Sequence, residues 1–224
     1  MINKIIKAFK IIFYRFIDSS KGIVYVKEYI PSNILKNLNP NYRNKIKTLI
    51  SIIEILEKLK IKYSISKGTL LGLARNNKLI ENDIDIDIDI FSEVDIYKLI
   101  NRSKLIIFRT IIYKGRYSNI VFYDKENQML IDIAVFNKKE NSFINHSPYG
   151  EFLLSENLIK SISSIQFGKD RILSYNKNQY LTLWYGEDWT TPQPYTHDWI
   201  YHYKKSCRAL NFYNHLSVSI DLTK

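Results

Sequence analysis

Between Asp83 and Phe91 the chain alternates strictly between acid and isoleucine: Asp83-Ile84-Asp85-Ile86-Asp87-Ile88-Asp89-Ile90-Phe91. A period of two is the pattern of a β-strand, whose successive side chains leave opposite faces. The carboxylates therefore project from one face at intervals of about 6.6 Å, and the isoleucines from the other. Burial of the isoleucines fixes the register, because a slip of one residue would exchange the two faces. Neighbouring carboxylates in such a row repel by about 2 kcal/mol at an effective dielectric of about 20. Two arrangements tolerate this. One is the solvated face of an edge strand, where charge deters strand pairing. The other is a site for a hard divalent cation, Mg2+ or Mn2+, which takes one or two carboxylates and completes its shell with water and substrate phosphates. No Lys or Arg interleaves the row in a chain with 33 basic residues, and this favours the metal and the chemistry of nucleotide-dependent phosphoryl transfer.

A distant acid adds to the row. Asp132 is the one carboxylate in the apolar stretch Met129-Leu130-Ile131-Asp132-Ile133-Ala134-Val135-Phe136. An acid there is costly unless it meets a cation or several donors. Pairing of this strand near the first would bring Asp132 to Asp85 and Asp87 around a two-metal site. A backbone turn or a basic partner would satisfy it equally. Upstream, a short strand over 63–66 runs into Gly68-Thr69-Leu70-Leu71-Gly72-Leu73-Ala74-Arg75. The order strand, glycine, helix suits a phosphate. His146, His197, His202 and His215 have no metal-ligand spacing, and the single Cys207 excludes a disulfide framework, a CxxC pair and a multi-cysteine zinc site.

The elements that must position these groups are legible in the periodicity. The 224 residues are 46% hydrophobic and 14% aromatic, which argues for a packed core and against disorder. A net charge of +11 suits anionic partners without choosing among them. Residues 42–59 carry Ile46, Leu49, Ile50, Ile53 and Leu56 at helical spacing after Pro40. Ser92 caps a short helix to about residue 100. Residues 22–26, 104–113, 117–123 and 129–136 read as strands, with a hairpin about Gly168 and a helix over 178–185 stopped by Gly186. The fold class is α+β, a mixed and mostly antiparallel sheet flanked by helices. Residues 197–210 add a C-terminal helical extension.

Residues 2–17 place Ile2, Ile5, Ile6, Phe9, Ile12, Phe13, Phe16 and Ile17 on one helical face and Lys4, Lys7, Lys10 and Arg15 elsewhere. Two roles fit this amphipathic helix: packing on the domain, or lying in the plane of an anionic membrane surface. Basic residues interrupt the run and no small-residue cleavage site follows, so it is expected to stay in the mature protein. The expected division is a lead-in over 1–40 and a catalytic domain over 41–224.

The run from Gly68 to Arg75, then Ile80, then Asp83 to Ile88, resembles the LicD family, phosphocholine transferases of bacterial surface glycans with fukutin and fukutin-related protein as relatives. Tyr180-Leu181, Tyr185-Gly186-Glu187-Asp188-Trp189 and Pro192 resemble the family's later motif. The likeness extends over about residues 45–195. Glu81-Asn82 stand where the family often has Pro-Trp, and Ile84 stands where many members carry another Asp.

The resemblance implies a nucleotidyltransferase-like fold that transfers a phosphoalcohol from a CDP-activated alcohol donor to a glycan or lipid-linked glycan acceptor. Asp83, Asp85, Asp87 and Asp132 would hold Mg2+ or Mn2+, with Asp132 also orienting or deprotonating the acceptor hydroxyl. Gly68 and Thr69 would donate to phosphate. Arg75 would balance developing charge or partner the aspartate row. Tyr185 and Trp189 would wall a substrate pocket or form a packing corner. This implies a cytoplasmic enzyme, peripheral at the inner membrane face, with no specific nucleic-acid partner. A nucleotidyltransferase moving NMP from an NTP, and a non-catalytic basic binding module, remain the alternatives.

Overall fold

The computed structural model describes residues 24–28, 38–103, 105–113, 115–147, 150–192 and 218–221. The amphipathic stretch 2–17 and the aromatic stretch 197–210 lie outside them. The strands are β1 (Val24–Glu28), β2 (Tyr63–Ile65), β3 (Asp85–Ile90), β4 (Ile106–Tyr113), β5 (Arg116–Asp124), β6 (Met129–Val135), β7 (Asn137–Lys139), β8 (Ser142–Ser147), β9 (Gly150–Ser155), β10 (Ser163–Phe167), β11 (Asp170–Ser174) and β12 (Val218–Asp221). The helices are α1 (Tyr42–Lys58), α2 (Lys67–Asn76), α3 (Glu93–Arg102), α4 (Glu156–Lys160) and α5 (Lys177–Tyr185). No helix among the described residues is long and apolar enough to cross a membrane.

The expected α+β architecture is present. One large mixed sheet runs β10-β11-β2-β3-β6-β5-β4-β1-β12. Most pairs are antiparallel, and the β3–β6 pair at its centre is parallel. Ile86, Ile88 and Ile90 are buried in the same core as Leu49, Ile52, Ile53 and Leu56 of α1. That burial sets the register of β3 and leaves its aspartates on the other face.

Helix starts follow capping chemistry. Asn41 accepts from the Asn44 N–H at 2.9 Å to open α1, and Ser92 accepts from Val94 N–H at 3.2 Å to open α3. The helical stripe of α1 differs in one respect from its sequence reading: Lys45 is 1% exposed, while Ile46 is only partly buried. The Lys45 ammonium donates to the carbonyls of Ile80 and Glu81 and so anchors the loop that leads into β3. Strands β7, β8 and β9 form a small antiparallel sheet, which periodicity did not reveal.

Candidate active site

In the parallel β3–β6 pair, Asp87 stands in register with Asp132. Registered partners on neighbouring strands share a face and lie about 4.8 Å apart along the hydrogen-bonding direction. The distant acid therefore joins the row, as the apolar strand around it implied. Ligand oxygens of Asp83, Asp85 and Asp87 all lie within 4.8 Å of one another. All three offer hard carboxylate oxygens, the donor set that Mg2+ and Mn2+ prefer. The residues present fit such an ion.

The start of α2 is built around these acids. The Gly68 N–H donates to Asp87 Oδ2 at 3.0 Å. A Cβ at Gly68 would meet Asp83 Oδ2 at 2.6 Å and Asp87 Oδ2 at 3.1 Å, so only glycine lets the helix approach both carboxylates. Thr69 Oγ1 accepts from the Asp87 N–H at 2.8 Å and is buried. Both groups, expected to donate to a phosphate, are directed at Asp87 in this structure and hold its strand and side chain in place.

Two neighbours of Asp132 were not found from the sequence. Asn119 Nδ2 donates to Asp132 Oδ1. The Lys67 ammonium lies 3.5 Å from Asp132 Oδ2 and 3.6 Å from Asp87 Oδ1. Lys67 opens α2 with φ of +38°, a left-handed conformation that a non-glycine residue adopts at a cost of about 1–3 kcal/mol. The signal available was adjacency alone, because Lys67 directly precedes Gly68.

The electrostatics match an acid cluster short of cations. Burial, then the charges of Asp83 and Asp132, push Asp85 well above the ordinary carboxylate range. Burial, then Asp85, does the same to Asp87. Asp83 is raised by burial and by Asp87. Burial works against the charge of Lys67, but Asp132 and Asp87 outweigh it and raise its pKa. Asp89, at the inner end of the row, is fully buried and raised by burial to about 6. Tyr175 and Tyr180 donate to its Oδ2 at 2.9 and 3.2 Å, and their rings stack 4.3 Å apart.

The remaining expected residues divide. Tyr185 is half-buried, and its phenol is held protonated by burial and by the charges of Asp87 and Asp83, which places it beside the row. Arg75 turns away. Its guanidinium donates to the carbonyls of Trp189 and Thr191 and to none of the aspartates of the row. Trp189 is 8% exposed and forms the packing corner that Arg75 clamps.

Residues 60–177 match the family described as LicD/FKTN/FKRP, nucleotidyltransferase domain. The protein RT0683 of Rickettsia typhi is 31% identical over 117 residues, 51% of this chain. The matched part spans 36% of that relative's length. The crystal structure of an antigenic nucleotidyltransferase-like protein from Paracoccidioides brasiliensis is similar with a TM-score of 0.40 and 11% identity, over 75% of this chain and 76% of that one. The family match covers more than half of the chain, including β2, α2 and every acid of the site, and the chain therefore belongs to the LicD/FKTN/FKRP nucleotidyltransferase-domain family.

Proposed function

We propose that the chain catalyses metal-dependent transfer of a phosphoalcohol from a CDP-activated alcohol to a sugar hydroxyl of a bacterial surface glycan. The observation that carries this reading is the convergence of Asp83, Asp85 and Asp87 with the registered Asp132 beside the first turn of α2. Family membership supplies the transferase class. A divalent ion on Asp83, Asp85 and Asp87 would neutralise the phosphate charge that develops during transfer.

The acceptor oxygen forms a bond to the alcohol-bearing phosphorus, and the bond from that phosphorus to CMP breaks. Asp132 orients the acceptor hydroxyl and takes its proton as the new bond forms. Asn119 and Lys67 reach the two oxygens of that carboxylate and fix its direction. Gly68 and Thr69 fix Asp87, and Tyr185 lines the side of the row next to α5. Loose transition states of phosphoryl transfer demand positioning more than strong bases, which suits an Asp132 held between two donors.

Residues 2–17 belong to the same proposal as the means of keeping the enzyme at an anionic membrane surface. Truncation of 1–18 should lower sedimentation with anionic vesicles. The transfer itself is tested by offering the full chain a panel of CDP-alcohols and, separately, NTPs with Mg2+. Release of CMP from a CDP-alcohol supports the reading. Release of pyrophosphate from NTPs alone would replace it with nucleotidyl transfer.

A further inference from the structure

The carboxylates of this site do not face one another across a uniform gap. Asp83, Asp85 and Asp87 form a tight group of ligand oxygens, and Asp132 lies outside it. Both oxygens of Asp132 have protein partners, Asn119 Nδ2 on Oδ1 and the Lys67 ammonium on Oδ2. The same ammonium reaches Asp87 Oδ1, while Asp87 Oδ2 accepts the Gly68 N–H. A second dication bridging Asp87 and Asp132 would therefore have to compete with a resident cation for the same pair of acids.

The ammonium is held there by more than its own flexible stem. Lys67 begins α2 in a left-handed conformation, its backbone N–H donates to the Tyr180 hydroxyl at 3.3 Å, and its ammonium lies 6.0 Å from the Trp184 ring centroid. A side chain launched from a constrained backbone and held between two carboxylates beside the Trp184 ring loses the freedom that usually makes lysine a mobile surface charge.

We infer that the Lys67 ammonium is the built-in second cation of this centre, so that the site takes one divalent ion on Asp83, Asp85 and Asp87 where a two-metal centre would take two. This rests on the proposed metal-dependent reading. Lys67 is a positioning residue here: it fixes the direction of Asp132 and the charge between the two strands, and it makes the enzyme's second cation independent of the supply of free metal.

The test counts ions rather than turnover. Full-length chain, stripped of metal, is titrated with Mn2+ and bound ion is read by electron paramagnetic resonance. The wild type should bind one Mn2+, Lys67→Arg should bind one, and Lys67→Met should bind two, with the broadened signal of a close spin pair. Two ions in the wild type, or one in a folded Lys67→Met chain, overturn the inference and leave metal dependence intact. A Lys67→Met chain that folds only in excess Mn2+ supports it, because the dication then replaces the missing ammonium. Failure of that variant to fold at any Mn2+ concentration counts against it. No binding by the wild type would remove the metal reading itself, a result separate from every other outcome.

Discussion

Asp87 and Asp132 stand opposite one another across the parallel β3–β6 pair, and one ammonium, that of Lys67, reaches both. The chain between them builds α3 and the β4–β5 hairpin, so β6 returns antiparallel to β5 and lies alongside β3 in the same direction. This route brings two acids far apart in sequence to one edge of the cluster. It also explains why Asp132 tolerates an apolar strand: Asn119, on β5 and close in register, and Lys67, on α2, supply donors to its two oxygens.

Removing charge from the row should separate activity from stability. Asp85→Asn and Asp87→Asn are each expected to lower turnover by about two orders of magnitude or more, because the ion loses a ligand. The metal-free Asp85→Asn protein should melt no lower than the wild type, since burial and repulsion from Asp83 and Asp132 already disfavour its charge. Relief of that repulsion is of order 1 kcal/mol. Calorimetric Mg2+ titration with thermal melting in a chelator checks both; a large fall in metal-free melting temperature would contradict the charge-relief account.

Stability should also depend on pH in an unusual direction. Asp85 and Asp87 are raised well above 3.8 by burial and by neighbouring carboxylates, and Asp89 to about 6 by burial. The folded chain thus binds more protons than the unfolded one in this window, so the contribution of these groups is full below the unfolded carboxylate value and is lost as pH rises through the folded values. Added Mg2+ favours the ionised forms and should stabilise more at about pH 7 than at about pH 5. Melting curves with and without Mg2+ across that range test it, and an equal Mg2+ effect at both ends would refute the shifted acids.

What could be read in advance follows from which signals are local. The period of two over residues 83–90 and the isolated Asp132 mark strands and acids because alternation and burial cost act within one segment. Their pairing is long-range, and only the sheet order brings Asp87 to Asp132. Lys67 was missed because lysine is ordinarily a solvated residue and a left-handed φ has no sequence mark outside glycine. Lys45 was missed for a related reason: its burial depends on the carbonyls of Ile80 and Glu81, which a helical wheel cannot contain. The β7–β9 sheet escaped because Asn137-Lys138-Lys139 has no apolar alternation.

The two glycines of α2 should fail differently. Gly68→Ala thrusts a methyl at Asp83 Oδ2 and Asp87 Oδ2, side-chain atoms that can swing aside, so Mg2+ affinity and turnover should drop with the fold retained. Gly72→Ala meets backbone, Lys78 O at 2.6 Å and Ile80 N at 2.9 Å, which cannot yield without moving the loop into β3. A loss of about 1–3 kcal/mol is expected there, despite the helix propensity of alanine. Urea unfolding beside Mg2+ titration distinguishes them, and matching behaviour of the two variants would show that α2 does not pack on the site as described.

Arg75 carries the last expectation, because it joins α2 to the corner that follows α5. Its guanidinium satisfies the carbonyls of Trp189 and Thr191, and Trp189 covers part of the main core. Arg75→Ala leaves those carbonyls without their donor and frees the corner, at a cost of about 1–3 kcal/mol. Arg75→Lys places one ammonium where a fork-shaped group made several bonds, and should recover only part of the loss. Since Arg75 does not touch the aspartate row, Mg2+ affinity should be unchanged in both variants while cleavage by protease after residue 185 accelerates. A selective fall in Mg2+ affinity, with protection from protease intact, would instead make Arg75 part of the site.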